Sequence, residues 1–434
     1  MTKNITLQSR PVLREGVLDS RTQLPNRDSF YFDLAPVLEA RDVSVVLLVV
    51  DVEGIDFILR TFGPAERDNV VRDIGLRIRE AVGSEHTPYH ITQGRFAVAL
   101  TDNTYLHATQ RARELVATLE KPFNISGIAY HLNGYVGISH YPNHAKSQSE
   151  LVRTGVFACY QARSVESRYA TFDRQVDEEE RQRFHLMLDL ENALDTQDQI
   201  KLAYQPQIHL KSGNCVGAEA LCRWEHPEQG YMSPGIFFPF VEQSPLIMPL
   251  TELVLSIGLR DLSRWQRHGF EGAIALNLSS TLFRQPDLLE RLKEHFRFTN
   301  MGMEQVHFEV TETGIMDQPN RAIHTLTALG EGGSKVAVDD FGTGHSSLAY
   351  LADLPIHIIK IDMHFVQNLD KPWGQAIVGA AVTLAEKLGL ETVAEGIENE
   401  DQLTQCRELG VTVGQGYHIA KPMFRAEFEK WLGM

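Results

Sequence analysis

The stretch VAVDDFGTGHSS, Val336 to Ser347, sets two carboxylates side by side at the end of an apolar run and follows them with a glycine-rich turn. Successive side chains of a β-strand point to opposite faces, so Asp339 and Asp340 can serve one site only if the strand is just ending there. Asp and Gly are also common turn formers, and taken alone the pair reads first as an ordinary turn. The strand belongs to a series, however. KLAYQPQIHL, CVGAEALCRW, GAIALNLSS, VHFEVTET, KVAVDDFG, IHIIKID, LETVAEGIE and VTVGQGYHIA are apolar strand candidates. Helical patterns such as LTELVLSIGLRDLSRWQRHG and GQAIVGAAVTLAEKLG separate most of them. About eight strands alternating with helices over some 250 residues predict a (β/α)8 TIM-like barrel, with a doubly wound open sheet as the alternative.

The N-terminal half has a different rhythm. VSVVLLVVDVEG is an apolar strand, PAERDNVVRDIGLRIREAVG and LHATQRARELVATLEKP have helical spacing, and PYHITQGRFAVALTD reads as a hairpin. AYHLNGYVGISHYP and SQSELVRTGVFACYQARS add a strand and a helix. The expected organisation is a leader over residues 1–17, an α/β sheet domain over 18–173, a joining helix over 174–188 and the barrel over 189–434. The charged run RQVDEEERQRFHLMLDLENAL supplies that helix; a solvated helix belonging wholly to the second domain is the alternative.

Composition narrows the function classes. A formal net charge of −16 argues against a binder of nucleic-acid polymers, which normally displays a basic face. The densest apolar run, Val43 to Val50, is far shorter than the ~20 residues a spanning helix needs, and the first residues lack the apolar core of a secretory signal. The four cysteines, Cys159, Cys215, Cys222 and Cys406, form no CxxC pair. A cytoplasmic protein without a membrane partner is expected. An acidic protein that handles a phosphodiester needs local positive charge, which clustered carboxylates supply by holding divalent cations.

Glu219, Asn277, Glu309, Asp339, Lys360, Glu395 and Gln415 each lie at or just inside the C-terminal end of a different strand candidate. In a barrel those ends converge on the face where active sites are built. Each residue has a plainer reading. Glu219 could pair with Arg223, Asn277 could cap the next helix, Lys360 could partner Asp362, and Glu395 and Glu398 could be turn or cap residues. All would then be coincidences at one end of one fold. Carboxylates, an amide and a lysine make an oxygen-rich site for Mg²⁺ or Mn²⁺ rather than zinc. Two such ions could clamp a phosphodiester and activate water; an enolase-like lyase or isomerase uses similar parts and remains the alternative.

With these motifs in view, the second half resembles the EAL domain, the cyclic di-GMP phosphodiesterase family. The likeness runs from LAYQPQI to GYHIAKP through EALCRW, NLSS, EVTET, DDFGTGHSSL, IKID, AEGIE and GQGY, in the family's order. The resemblance implies hydrolysis of cyclic di-GMP to linear pGpG with two Mg²⁺ or Mn²⁺ ions. Glu219, Asn277, Glu309 and Asp339 would hold the first ion, Asp339 would bridge to the second, and Asp340 and Glu395 would complete the ligands. Lys360 and Glu395 would orient and activate the water, with Gln415 in support. Gln205, Leu221, Arg223 and Gln415 would contact the dinucleotide. The loop containing Phe341, Gly342, Thr343 and Gly344, steadied by Glu312, would couple the site to a homodimer formed through this domain. His345 and Pro245 depart from the family's usual aromatic residue and Gly without removing a ligand.

The first half resembles a GGDEF diguanylate cyclase domain, entered at LPNRDSF and reaching CYQARS. Its signature is replaced by TQGRF, so that Gly94 and Arg95 stand where the pattern has two acids. Asp51 and Asp68 are retained, Asp56 and Leu59 replace the family's Lys and guanine-reading Asn, and GSEH at 83–86 occupies the inhibitory site. The resemblance implies a degenerate domain without cyclase activity, kept for regulation, with GTP as an uncertain effector. A non-hydrolysing cyclic di-GMP receptor is the competing expectation for the whole chain.

Overall fold

The protein, seen in a computed structural model, is described over residues 17–40, 43–101, 105–342 and 354–434. Two compact units divide between Arg181 and Gln182. The first carries strands β1 (Val45–Glu53), β2 (Pro88–Thr92), β3 (Arg95–Leu100), β4 (Phe123–Ile125), β5 (Ile128–Tyr130), β6 (Asn133–Tyr141) and β7 (Tyr169–Thr171). Five of them form a sheet in the order β2-β3-β1-β6-β7, with β4 and β5 paired apart. Strand β1 reads as a continuous apolar run because both of its faces are covered. Val46, Leu48 and Val50 join the core formed with Val70, Ile74 and Leu115. Leu47 and Val49 face the opposite cluster with Phe30, Leu34 and Leu151.

The second unit carries β8 (Ile200–His209), β9 (Cys215–His226), β10 (Gly230–Met232), β11 (Ala273–Asn277), β12 (Val306–Thr311), β13 (Val336–Phe341), β14 (Ile358–Ile361), β15 (Glu391–Ala394), β16 (Val413–Gly414) and β17 (Met423–Phe424). Strand pairing runs β9-β11-β12-β13-β14-β15-β16-β8 and closes through β8–β9, giving an eight-stranded barrel. In one respect it departs from the expected repeat: β8 is antiparallel to both of its neighbours, β9 and β16, while the other seven run parallel. The physical reason is the connection. Only residues 210–214 lie between β8 and β9, room for a hairpin but not for a crossover helix.

The barrel interior is layered. Ala337, Ile358, Val393 and Val413 form one small apolar cluster. Two residues further along the same strand paths stand Asp339, Lys360, Glu395 and Gln415. Because strand side chains repeat with period two, the polar groups sit on the same inward face, one layer nearer the C-terminal mouth. A single helix, Arg174–Thr196, crosses the division between the units, and its Leu186, Leu190, Ala193 and Leu194 pack into the barrel's outer core. Among the described residues no helix is long and apolar enough to cross a membrane, and all four cysteines are free.

Candidate active site

Lys360 is the hub of the barrel mouth. Its side chain is 1% exposed, and its Nζ lies 2.7 Å from Glu309 Oε2, 2.7 Å from Glu395 Oε1, 3.1 Å from Asp339 Oδ1 and 3.8 Å from Glu219 Oε2. Asn277 Nδ2 donates to Glu219 Oε1 at 3.0 Å, and Gln415 Nε2 donates to Glu219 Oε2 at 2.5 Å. The structure therefore brings together the seven strand-end residues singled out in the sequence. The plainer partners go elsewhere. Asp362 caps the next helical turn by accepting from His364 N; Ser279, not Asn277, caps the turn after β11. Arg223 Nη1 donates to the Cys222 carbonyl, and no ion pair joins it to Glu219 among the described residues. Glu398 accepts from Gln367, while Asn399 caps the following helix.

The adjacent aspartates are reconciled differently from the expectation. Strand β13 does not end at Asp339; it continues to Phe341, with a register irregularity between Val338 and Phe341 against β14. Asp340 takes φ +54, in the left-handed region that ordinary residues rarely enter and that Asp tolerates better than most. A bulge of this kind re-aims a side chain without terminating pairing. The result is that one oxygen each from Asp339, Asp340 and Glu395 lies within 4.8 Å of the others, a grouping able to hold a cation.

Charge balance supports that use. Five carboxylates, Glu219, Glu309, Asp339, Asp340 and Glu395, share this mouth with one ammonium. Burial opposes the Glu219 charge, yet Lys360, Gln415 and Asn277 outweigh it and hold this carboxyl below its ordinary value. Burial pushes Glu309 well above the carboxylate range against the pull of Lys360, and the charges on Glu219 and Asp339 add to the push. Burial likewise drives Glu395 up to about 7, with Asp339 and Glu219 contributing. Asp340 is raised by burial and by Asp339 and Asp362. A single lysine thus leaves excess negative charge in a poorly solvated place, and the donors are all oxygen. The residues fit hard divalent cations.

Other expected residues fall around this centre. Gln205, in register with Glu219 across β8–β9, accepts from Gln415 Nε2 at 3.0 Å and donates to the Ala420 carbonyl at 3.1 Å. Leu221 and Arg223 lie further toward the mouth on β9, paired with Ala203 and Lys201 and partly exposed. Buried Glu312 accepts from Gly342 N at 3.2 Å, tying the start of the loop after Phe341 to the helix after β12. Thr343 and Gly344 lie outside the described residues. Gln207 was missed by the sequence reading. It sits beneath Gln205 and donates to Gln415 Oε1 at 2.9 Å. The alternation in Gln205-Pro206-Gln207 was the available signal, since both amides must share one face.

The counterpart position in the first unit is built differently. Asp51, near the end of β1, is 3.3 Å from Arg95 Nε and 3.1 Å from Arg163 Nη2, and Arg163 also reaches Glu53 at 3.0 Å. Gly94, at φ +78 in the turn between β2 and β3, carries Arg95 to that place. Asp68 is engaged by Arg67 at 2.7 Å and by Arg21 at 3.2 Å.

Comparison with known proteins agrees with this architecture. Residues 187–422 match the EAL domain, and residues 17–168 match the diguanylate cyclase GGDEF domain. The chain belongs to the EAL domain family and carries a GGDEF domain in tandem. It is 30% identical over 420 residues to the cyclic di-GMP phosphodiesterase PA2567 of Pseudomonas aeruginosa, covering 96% of this chain and 71% of that one. It is 29% identical over 434 residues to the cyclic di-GMP phosphodiesterase PdeR of Escherichia coli, covering 99% and 65%. The bifunctional diguanylate cyclase/cyclic di-GMP phosphodiesterase MucR of Pseudomonas aeruginosa is 29% identical over 429 residues, covering 98% and 62%. The chain thus spans less than two thirds of the latter two relatives. Among solved structures, the c-di-GMP complex of the PaMucR phosphodiesterase superposes with a TM-score of 0.54 at 36% identity, covering 56% of this chain and 99% of that one.

Proposed function

We propose that the barrel hydrolyses cyclic di-GMP to linear pGpG with the help of two divalent cations, Mg²⁺ or Mn²⁺. The observation that carries this reading is the gathering of five carboxylates and one asparagine around buried Lys360 at the mouth. Glu219, Asn277, Glu309 and Asp339 would hold one ion, and Asp339, Asp340 and Glu395 the second. When bound, the ions offset the phosphodiester charge and acidify the attacking water. The chain's own residues do the rest. Lys360 keeps a fixed positive charge, because four carboxylates outweigh the burial that opposes it. Beside it, 2.7 Å away, Glu395 would accept the proton of a water that the ammonium helps to orient. Gln205 and Arg223 present an amide and a guanidinium to the dinucleotide, Leu221 an apolar contact, and Gln415 holds Glu219 in place.

In the same reading the first unit does not cyclise GTP: guanidinium groups stand against Asp51, where the resemblance places a metal. Its part is regulatory, and pairing of barrels would act through the loop after Gly342. The test is incubation of purified protein with cyclic di-GMP and Mn²⁺, with and without GTP, followed by chromatography of the nucleotides. Formation of pGpG, with no cyclic di-GMP made from GTP, is expected. Tight binding without product would replace this reading with a receptor.

A further inference from the structure

We infer that Gln207 is a positioning residue that sets the direction of the amide network beneath Glu219, and so the readiness of that carboxylate for a cation. The inference rests on the proposed metal-dependent reading of the barrel mouth. An ionised carboxylate only accepts hydrogen bonds, so Gln415 must turn its Nε2 toward Glu219 Oε2. The same Nε2 reaches Gln205 Oε1, and Gln205 in turn donates its Nε2 to the Ala420 carbonyl. Gln415 is 4% exposed, so its Oε1 needs a donor from within the protein. Gln207 Nε2 supplies it at 2.9 Å, from a side chain that is itself 6% exposed. With that donor, every amide direction follows. Without it, the Gln415 oxygen is left with no donor, and rotating the amide would only turn that oxygen on Glu219 Oε2 and Gln205 Oε1, which are both acceptors.

Space for the device comes from β9. Gln207 faces Gly217 in register, and a Cβ at Gly217 would stand 3.2 Å from Gln207 Oε1 and 2.8 Å from the Ala273 carbonyl. A side chain at Gly217 would press hardest on the Ala273 backbone and would also crowd the Gln207 amide one layer below the carboxylates. Among the described residues the hydrogen bond of Gln207 Nε2 is to Gln415 rather than to a carboxylate, so its effect passes through Gln415.

The distinguishing feature is hydrogen-bond polarity rather than volume. Three variants of the full chain, Gln207→Lys, Gln207→Leu and Gln207→Glu, are compared by calorimetric Mn²⁺ titration, by kcat and KM for cyclic di-GMP, and by thermal unfolding. Gln207→Lys keeps a donor and should bind Mn²⁺ within about threefold of wild type. Gln207→Leu should lose about tenfold, and Gln207→Glu, which aims an acceptor at Gln415 Oε1, should lose toward a hundredfold, the range for groups that orient metal ligands. The loss should fall on Mn²⁺ affinity and kcat while KM stays within about twofold. Equal losses for the Lys and Glu variants, or unchanged affinity in Gln207→Leu, would overturn the inference. Should Gln207→Leu fail to fold, the Lys and Glu pair still decides. If the wild type binds Mn²⁺ and makes no pGpG, the proposed hydrolysis fails, while the order of Mn²⁺ affinities still tests Gln207.

Discussion

The two units treat a strand-end carboxylate in opposite ways. In the barrel, five carboxylates surround the single ammonium of Lys360. In the sheet, Asp51 and Glu53 meet Arg95 and Arg163 in equal number. The first arrangement is short of positive charge and calls for cations from outside; the second is already balanced by the chain. The fate of an acidic position thus depends less on whether the acid survives than on what stands beside it. Asp51 stands near a strand end as Asp339 does, yet Arg95 and Arg163 occupy its carboxylate oxygens.

The strongest way to break this contrast is at Asp339, which the proposed function assigns to both ions. Asp339→Asn should lower the rate of pGpG formation by about a thousandfold, followed by chromatography at saturating Mn²⁺; a loss below tenfold would mean that the mouth tolerates one charge fewer. Lys360→Met comes next. Removing the Lys360 ammonium leaves buried carboxylates facing one another, and the metal-free protein should lose about 3–5 kcal/mol in denaturant unfolding. Added Mn²⁺ should recover much of that loss, since a cation then occupies the vacated charge.

A pH test sharpens the comparison from the other unit. Burial holds His140 below the ordinary histidine value of about 6.5. His144 is lowered by burial, with His140 and Arg174 adding to it. Its Nδ1 accepts from His140 N at 3.2 Å, which a protonated ring cannot do. Folded values below the unfolded one mean that this stability is complete above about pH 6.5 and is lost as pH falls through the folded values. Acidification from pH 7 to 5 should cost β6 about 1 kcal/mol of local protection in hydrogen exchange. His144→Asn, which keeps an acceptor but does not titrate, should flatten that slope. The smallest effect is expected at Arg163→Ala. Its pairs with Asp51 and Glu53 are partly solvated, so stability should change by less than about 1 kcal/mol and pGpG formation by less than twofold.

Much of this was legible in the chain because period-two alternation fixes which strand residues share a face. Asp339, Lys360, Glu395 and Gln415 could be placed together from their strands alone, and the apolar residues two positions earlier, Ala337, Ile358, Val393 and Val413, form the layer below them. Two features escaped. Asp340 reaches its neighbour's side by a left-handed backbone inside a continuing strand, and no pattern of residue types announces a positive φ at aspartate. The antiparallel course of β8 was hidden because its apolar composition suits either direction; only the five residues before β9 argue against a crossover helix. The sequence shows Lys360 as one member of the set, whereas its position as hub depends on four strands bringing their carboxylates to it, which spacing along the sequence does not express.

If the excess negative charge at the barrel mouth holds divalent cations for phosphodiester hydrolysis, turnover must depend on both the ion and Glu219. The most direct measurement follows cyclic di-GMP and pGpG together, in wild type and Glu219→Gln, with Mn²⁺ and again after its removal by chelation. The wild type should make pGpG with Mn²⁺, none after chelation, and pGpG again on adding the ion back, with Glu219→Gln inactive throughout. Turnover that survives chelation, or that persists in Glu219→Gln, would contradict that role of the charge.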